Sequence, residues 1–311
     1  MIKSVAEIGK KMDALGLWDL LEPFNFAVKP RGTVFPYFCS VFKDRNPRIK
    51  MRFLMLEGWQ TLHDFVRTRC DNSFGFYSTP SEMPHFELVV FSDSEAKLFR
   101  HDTGYQPREV EGPSLELALK ILWEAYGVML RVEVDNKLPL KFADSRAIFA
   151  RVERAPLEWS DEPLVIPDPP PHVEKISFPK ADLRAAKDIP IDANEAVEVD
   201  FSIVPGLVTK EQRPRSVYSL TLADAKTGIA FHESHVSIAP GGSLRGVWEE
   251  MPSQVLKALI QRARIPGALK VRSARVFRML RPLCIELPFK LSLHDKFDHL
   301  PPGQSGAKPT S

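Results

Sequence analysis

Apolar residues recur along this chain with two periods, and the switch between them outlines its elements. Ser4-Val5-Ala6-Glu7 reads as a capping box. Val5, Ile8, Met12 and Leu15 then follow at helical spacing until Gly16. Trp18, Leu20, Leu21 and Phe24 carry the apolar character further, into chain made irregular by Pro23, Pro30 and Gly32. Phe35 to Phe42 and Ile49 to Leu56 read as strands of one hairpin, turning through Lys43 to Arg48. Trp59 to Arg69 is predicted to be a helix, and Asp71 to Pro84 a loop. Phe86 to Phe91 and Ala96 to His101 form a second hairpin around Ser92-Asp93-Ser94-Glu95. Gly112-Pro113-Ser114 introduces a helix over Leu115 to Tyr126, with Gly127 placed as its C-cap and Val128 to Val134 as a strand. Hairpins alternating with helices predict an α+β first domain over residues 1–154.

The pattern then breaks. Between Ala155 and Lys180 lie Pro156, Pro163, Pro167, Pro169, Pro170, Pro171 and Pro179. Proline lacks the N–H that a ladder needs and favours polyproline II, so residues 155–180 read as a semi-rigid linker.

Periodicity returns beyond it. Val197 to Ile203, Val217 to Ala223 and Ile229 to Ile238 read as three strands, the last two joined by the turn Asp224-Ala225-Lys226-Thr227-Gly228. Met251-Pro252 is predicted to open a helix, with proline in its first turn and Val255, Leu256, Leu259, Ile260 and Ala263 as its buried stripe. Ala268 to Arg272 is a strand, Ser273 caps a short helix over Ala274 to Arg281, and Ile285 to Leu293 is the last strand. This order predicts an α/β second domain over residues 181–300, a mixed sheet with helices. Residues 301–311 read as a disordered tail.

Composition narrows the function classes. A chain of 311 residues has room for two domains, and a formal charge of +2 confines any charge argument to local clusters. Cys39, Cys70 and Cys284 are few and far apart, which speaks against a disulfide framework or a cysteine-based zinc site. No stretch approaches ~18 apolar residues and no signal-peptide core is present, so a cytoplasmic location without membrane contact is expected.

Three strands, a helix, a strand, a helix and a strand resemble the ribonuclease H-like core of retroviral-type integrases and transposases. That resemblance implies an acid on the first strand, a second after the fourth strand and a third beyond the last. Together such acids hold two divalent metals for phosphoryl transfer. Asp200 matches the first position. After Lys270-Val271-Arg272 comes Ser273 where the second acid belongs, and Asp295 and Asp298 lie beyond the last strand. The chain also resembles a group of bacterial two-domain proteins of unknown function that share the Asp-x-x-Thr-Gly turn.

Other constellations are weaker. His232 and His235 are three apart on a strand and so face opposite ways, which defeats joint metal ligation. His63 and Cys70 share a helix face but stand two turns apart. From Met251 to Arg281 the chain carries Lys257, Arg262, Arg264, Lys270, Arg272, Arg275, Arg278 and Arg281 and no acid. Such a run could contact phosphates or an acidic protein surface, or pair with the acids between Asp188 and Asp200. The sequence therefore supports a non-catalytic interaction or scaffold protein first, a nucleic-acid binder second and a metal-dependent nuclease or strand transferase third. It identifies no metal ligands and no cofactor.

Overall fold

The structure is a computed structural model, and it describes residues 4–16, 26–42, 46–71, 83–138, 147–169, 176–204, 214–238, 244–297 and 299–300. Expectations for Trp18 to Phe24, the turn at 43–45, the loop over 72–82, Asp298 and the tail at 301–311 lie outside these residues, as does the side chain of Cys70. The chain is mixed α/β, with two mixed sheets and, among the described residues, six helices. It divides into two compact units. Unit 1 comprises Met1–Val66, Met83–Asp102 and Pro107–Pro170, and unit 2 the remainder.

Unit 1 is built on an eight-stranded sheet. Its elements are α1 (Val5–Leu15), β1 (Phe26–Lys29), β2 (Tyr37–Phe42), β3 (Ile49–Glu57), α2 (Gly58–Asp71, as far as Val66), β4 (His85–Phe91), β5 (Ala96–His101), β6 (Arg108–Glu109), α3 (Gly112–Val134), β7 (Ala147–Ala155) and β8 (Glu158–Val165). The strand order is β6-β5-β4-β3-β2-β1-β7-β8, antiparallel throughout except for the parallel pair β1–β7. Both predicted hairpins form, β2 with β3 and β4 with β5. Ser4 caps α1 by accepting a hydrogen bond from the Glu7 N–H, and Gly16 ends it in the left-handed region.

The sheet is buried on both faces. Met51, Phe53 and Met55 of β3 join Ile8 and Met12 of α1 and the stripe of α3 in one core. The alternate residues Leu54 and Leu56 join Leu62 and Phe65 of α2 in another. A strand covered on both faces reads as a continuous apolar run, which is why Phe53-Leu54-Met55-Leu56 shows no alternation.

Two expectations for unit 1 are corrected. Val128 to Val134 is not a strand: α3 runs unbroken from Gly112 to Val134. Its buried stripe of Ala118, Ile121, Leu122 and Ala125 continues through Val128, Met129 and Val132 at the helical period, and this packing overrides Gly127 as a stop signal. Residues 158–165 are not open linker, because β8 pairs antiparallel with β7 over most of its length. β8 is an edge strand, the position in a sheet where proline is tolerated.

Unit 2 contains α4 (Lys180–Lys187), β9 (Ile191–Val204), β10 (Val217–Asp224), β11 (Ala230–Ser237), α5 (Leu244–Gln261), β12 (Ile265–Val271), α6 (Ala274–Glu286) and β13 (Lys290–Leu293). The strand order is β11-β10-β9-β12-β13. β10 lies antiparallel to both neighbours, while β9, β12 and β13 run parallel. Pro252 lies inside α5 rather than in its first turn, because Val247, Trp248 and Met251 extend the buried stripe towards the N-terminus. α6 likewise passes Pro282 and reaches Glu286, which shortens the expected last strand to Lys290–Leu293. Gly267 is required by close approach, since a Cβ there would meet the Ala193 carbonyl oxygen at 2.5 Å.

The continuity of α3 can be checked at Gly127. A Cβ at this position would meet nothing within 4 Å. Gly127→Ala should raise stability by roughly 0.5–1 kcal/mol, as in any open helix interior. Destabilisation in a denaturant titration would instead mark Gly127 as a left-handed helix end.

Candidate functional site

Of the sequence-predicted acids and cations of unit 2, Asp200, Arg262, Arg264 and Arg272 meet along β9. Parallel pairing sets Lys270 opposite Glu198 and Val271 opposite Val199, so Arg272 emerges beside Asp200. A guanidinium nitrogen of Arg272 lies 2.8 Å from Asp200 Oδ1, and the Ser202 hydroxyl donates to Oδ2 at 3.0 Å. The two charged side chains are largely buried, at 14% and 17% exposure. The plane of Arg272 stacks 4.5 Å from the Phe297 ring, and Arg272 also donates to the Leu300 carbonyl. The Leu300 N–H in turn donates to Glu198, a fully buried residue. The chain after β13 thus runs back over the ends of β9 and β12. Asp295 is exposed on this returning segment. Ser273, at the expected second acid, caps α6 by accepting from the Val276 N–H.

The arginine run is dispersed by the fold. Arg262 pairs with Glu195 and lies 3.9 Å over the Phe231 ring. Arg264 reaches Asp192 at 3.9 Å, and Arg275 stacks 3.9 Å over Trp248. Three cations of the run therefore pair with acids of β9, which spends charge that a phosphate would otherwise meet. Lys257 on α5 and Arg278 and Arg281 on α6 are solvent-exposed, while Lys270 on β12 is half-buried.

The smaller candidates resolve into local structure. Asp224 Oδ1 accepts from the Thr227 N–H, the Thr227 hydroxyl and the Lys226 N–H, and Gly228 supplies the positive φ of the turn. These bonds, from Thr227 first, hold the Asp224 carboxyl below the usual aspartate range. His232 bonds Ser234 and His235 meets Glu233, each within its own face of β11.

A second constellation, which the sequence reading did not single out, lies in unit 1. His85 and Glu87 project from the same face of β4, and the hairpin register sets His101 of β5 directly opposite His85. The two imidazoles stack at 4.1 Å. His101 Nε2 lies 2.8 Å from Glu87 Oε2, while Arg52 holds the other carboxylate oxygen at 2.5 Å. All three residues are at most 5% exposed. Burial, and then the neighbouring His101, push the His85 pKa down to about 3. Burial opposes the Glu87 charge, yet the His101 hydrogen bond and the Arg52 guanidinium outweigh it and hold the carboxyl well below its usual range. The hairpin was legible but its register was not: a turn over Ser92 to Glu95 would set position 101 across from position 86, whereas the observed ladder is centred on residue 93 and sets it across from position 85.

Two substitutions test these contacts. Arg272→Met should cost roughly 3 kcal/mol, because it leaves Asp200 buried beside only a hydroxyl. Asp200→Asn in that background should recover part of the loss, as a double-mutant cycle on denaturation free energies would read. At the turn, a depressed carboxyl adds stability that is complete above the ordinary range near ~4 and is lost as pH falls through the lower folded value. Asp224→Ala should therefore lower the unfolding midpoint at neutral pH and flatten its fall under acid.

Residues 182–301, from within α4 to just beyond β13, match a family described as a domain of unknown function (DUF6930). No curated protein and no solved structure matches the chain.

Proposed function

We propose that unit 2 is a ribonuclease H-like module that has given up phosphoryl transfer, and that the chain is a non-catalytic interaction or scaffold protein. What supports the first part is the strand order β11-β10-β9-β12-β13, with β10 antiparallel, α5 before β12 and α6 before β13. What carries the second is the Arg272–Asp200 pair. Phosphoryl transfer of this class needs clustered acids to hold two divalent ions. Here a guanidinium stands where a second acid would have to help Asp200 hold a metal. Glu198, the other carboxylate nearby on β9, bonds the Leu300 N–H. Phe297 stacks on the guanidinium that closes the position. A cation that is part of the chain neutralises Asp200 without needing a metal.

The expected outcome is that neither Mg²⁺ nor Mn²⁺ supports cleavage of single- or double-stranded DNA or RNA, and that Asp200→Asn changes nothing in that assay. Mn²⁺-dependent cleavage that disappears in Asp200→Asn would overturn the reading. A titration against a generic duplex at low salt addresses the exposed Arg278 and Arg281: affinity falling steeply with added salt would move the function to nucleic-acid binding.

A further inference from the structure

We propose that His85, Glu87 and His101 bind one divalent first-row transition ion of the zinc type, which staples the open end of the β4–β5 hairpin. The site lies in unit 1 and is independent of the reading of unit 2.

The donor set is the first argument. One nitrogen from each histidine and a Glu87 oxygen all lie within 4.8 Å of one another. Zinc–nitrogen and zinc–oxygen bonds of about 2.0–2.2 Å place neighbouring ligand atoms roughly 3.3 Å apart, so the side chains need close by only an ångström or so. Strand geometry has already brought them to one place: His85 and Glu87 are two apart on one strand, and His101 pairs with His85 across the ladder.

Two orphaned nitrogens are the second argument. His85 Nδ1 lies 2.8 Å from the Met83 carbonyl, so it carries the proton and leaves Nε2 with the lone pair. A backbone carbonyl on the far ring nitrogen is the usual means of fixing a ligating histidine. His85 Nε2 is buried without a hydrogen-bond partner, and so is His101 Nδ1. His101 donates from Nε2 to the carboxylate, which leaves its lone pair on Nδ1. Each ring therefore already has an aprotic nitrogen; His101 presents its own by rotating the ring away from the carboxylate, whereas ligation through Nε2 releases that proton. An unpaired buried acceptor costs about 1–3 kcal/mol, and a metal bond removes that cost.

Arg52 supplies the third argument, on selectivity. It holds one Glu87 oxygen and would remain as the outer partner of a ligating carboxylate when His101 turns from the other oxygen to the metal. Its positive charge weakens the site for any dication held by charge alone. Affinity must then come from the two imidazoles, which favours zinc, cobalt or nickel over magnesium or calcium.

The full chain, stripped with a chelator and desalted, should bind about one Zn²⁺ per molecule and keep it through a second desalting, as measured by elemental analysis. Its unfolding temperature should rise with Zn²⁺ by mass action and stay unchanged with Mg²⁺. Glu87→Gln and His85→Gln should each weaken zinc binding at least ~10-fold. His235→Ala, on exposed β11, should leave it unchanged. Co²⁺ provides a readout without mutation: a strong visible absorption indicates low-coordinate nitrogen and oxygen ligation, whereas the weak bands of hydrated Co²⁺ would overturn the proposal. So would a folded wild-type chain that retains no zinc, or Glu87→Gln and His85→Gln variants that retain it like the wild type.

Discussion

Strand β9 carries Asp192, Glu195, Glu198 and Asp200 through the middle of a five-stranded sheet, and unit 2 is arranged around what neutralises them. A carboxylate taken out of water is stable only with a cation or several hydrogen bonds. Arg262, at the end of α5, meets Glu195, and Arg272, leaving β12, meets Asp200. The backbone of Leu300 meets Glu198. Each contact ties a later segment of the chain to the central strand. Three arginines of the acid-free run, Arg262, Arg264 and Arg272, are thus the complement of an acidic strand that pairs in parallel with β12.

The same constraint governs unit 1, with a different outcome. Glu87 is buried in a strand covered on both faces, and Arg52 and His101 together neutralise it. In unit 2 the guanidinium of Arg272 closes the position beside Asp200. In unit 1 two imidazole nitrogens are left without partners next to a carboxylate. A closed pair favours a structural role, whereas aprotic donors gathered in one place favour an ion. The chemistry of the two units therefore differs although both begin from a buried acid on a β-strand.

Local pattern was enough for elements whose signals are local. The cap at Ser4, both hairpins of unit 1, the turn at Asp224 and the cap at Ser273 follow from side chains that bond within three or four residues of themselves. Boundary signals failed where packing outweighed them. Gly127, read as a helix stop, and Pro252, read as a helix start, both lie within helices, because the apolar stripe on either side is buried as one surface. Pro163 sits in a strand because that strand is an edge.

By itself the sequence determined the first helix and two hairpins of unit 1, the order of elements from β9 onward in unit 2, the acid on β9 and the density of cations after Met251. Periodicity and residue chemistry are written along the chain and need no third dimension. Tertiary structure decided which charges meet. Asp200 finds Arg272 only through parallel pairing across more than seventy residues of chain, and Glu198 finds Leu300 only because the chain after β13 turns back over the sheet. His85, Glu87 and His101 stand between these cases. Their spacing was present in the sequence, but the register of one hairpin and the burial of the whole sheet face turned three ordinary side chains into a candidate site.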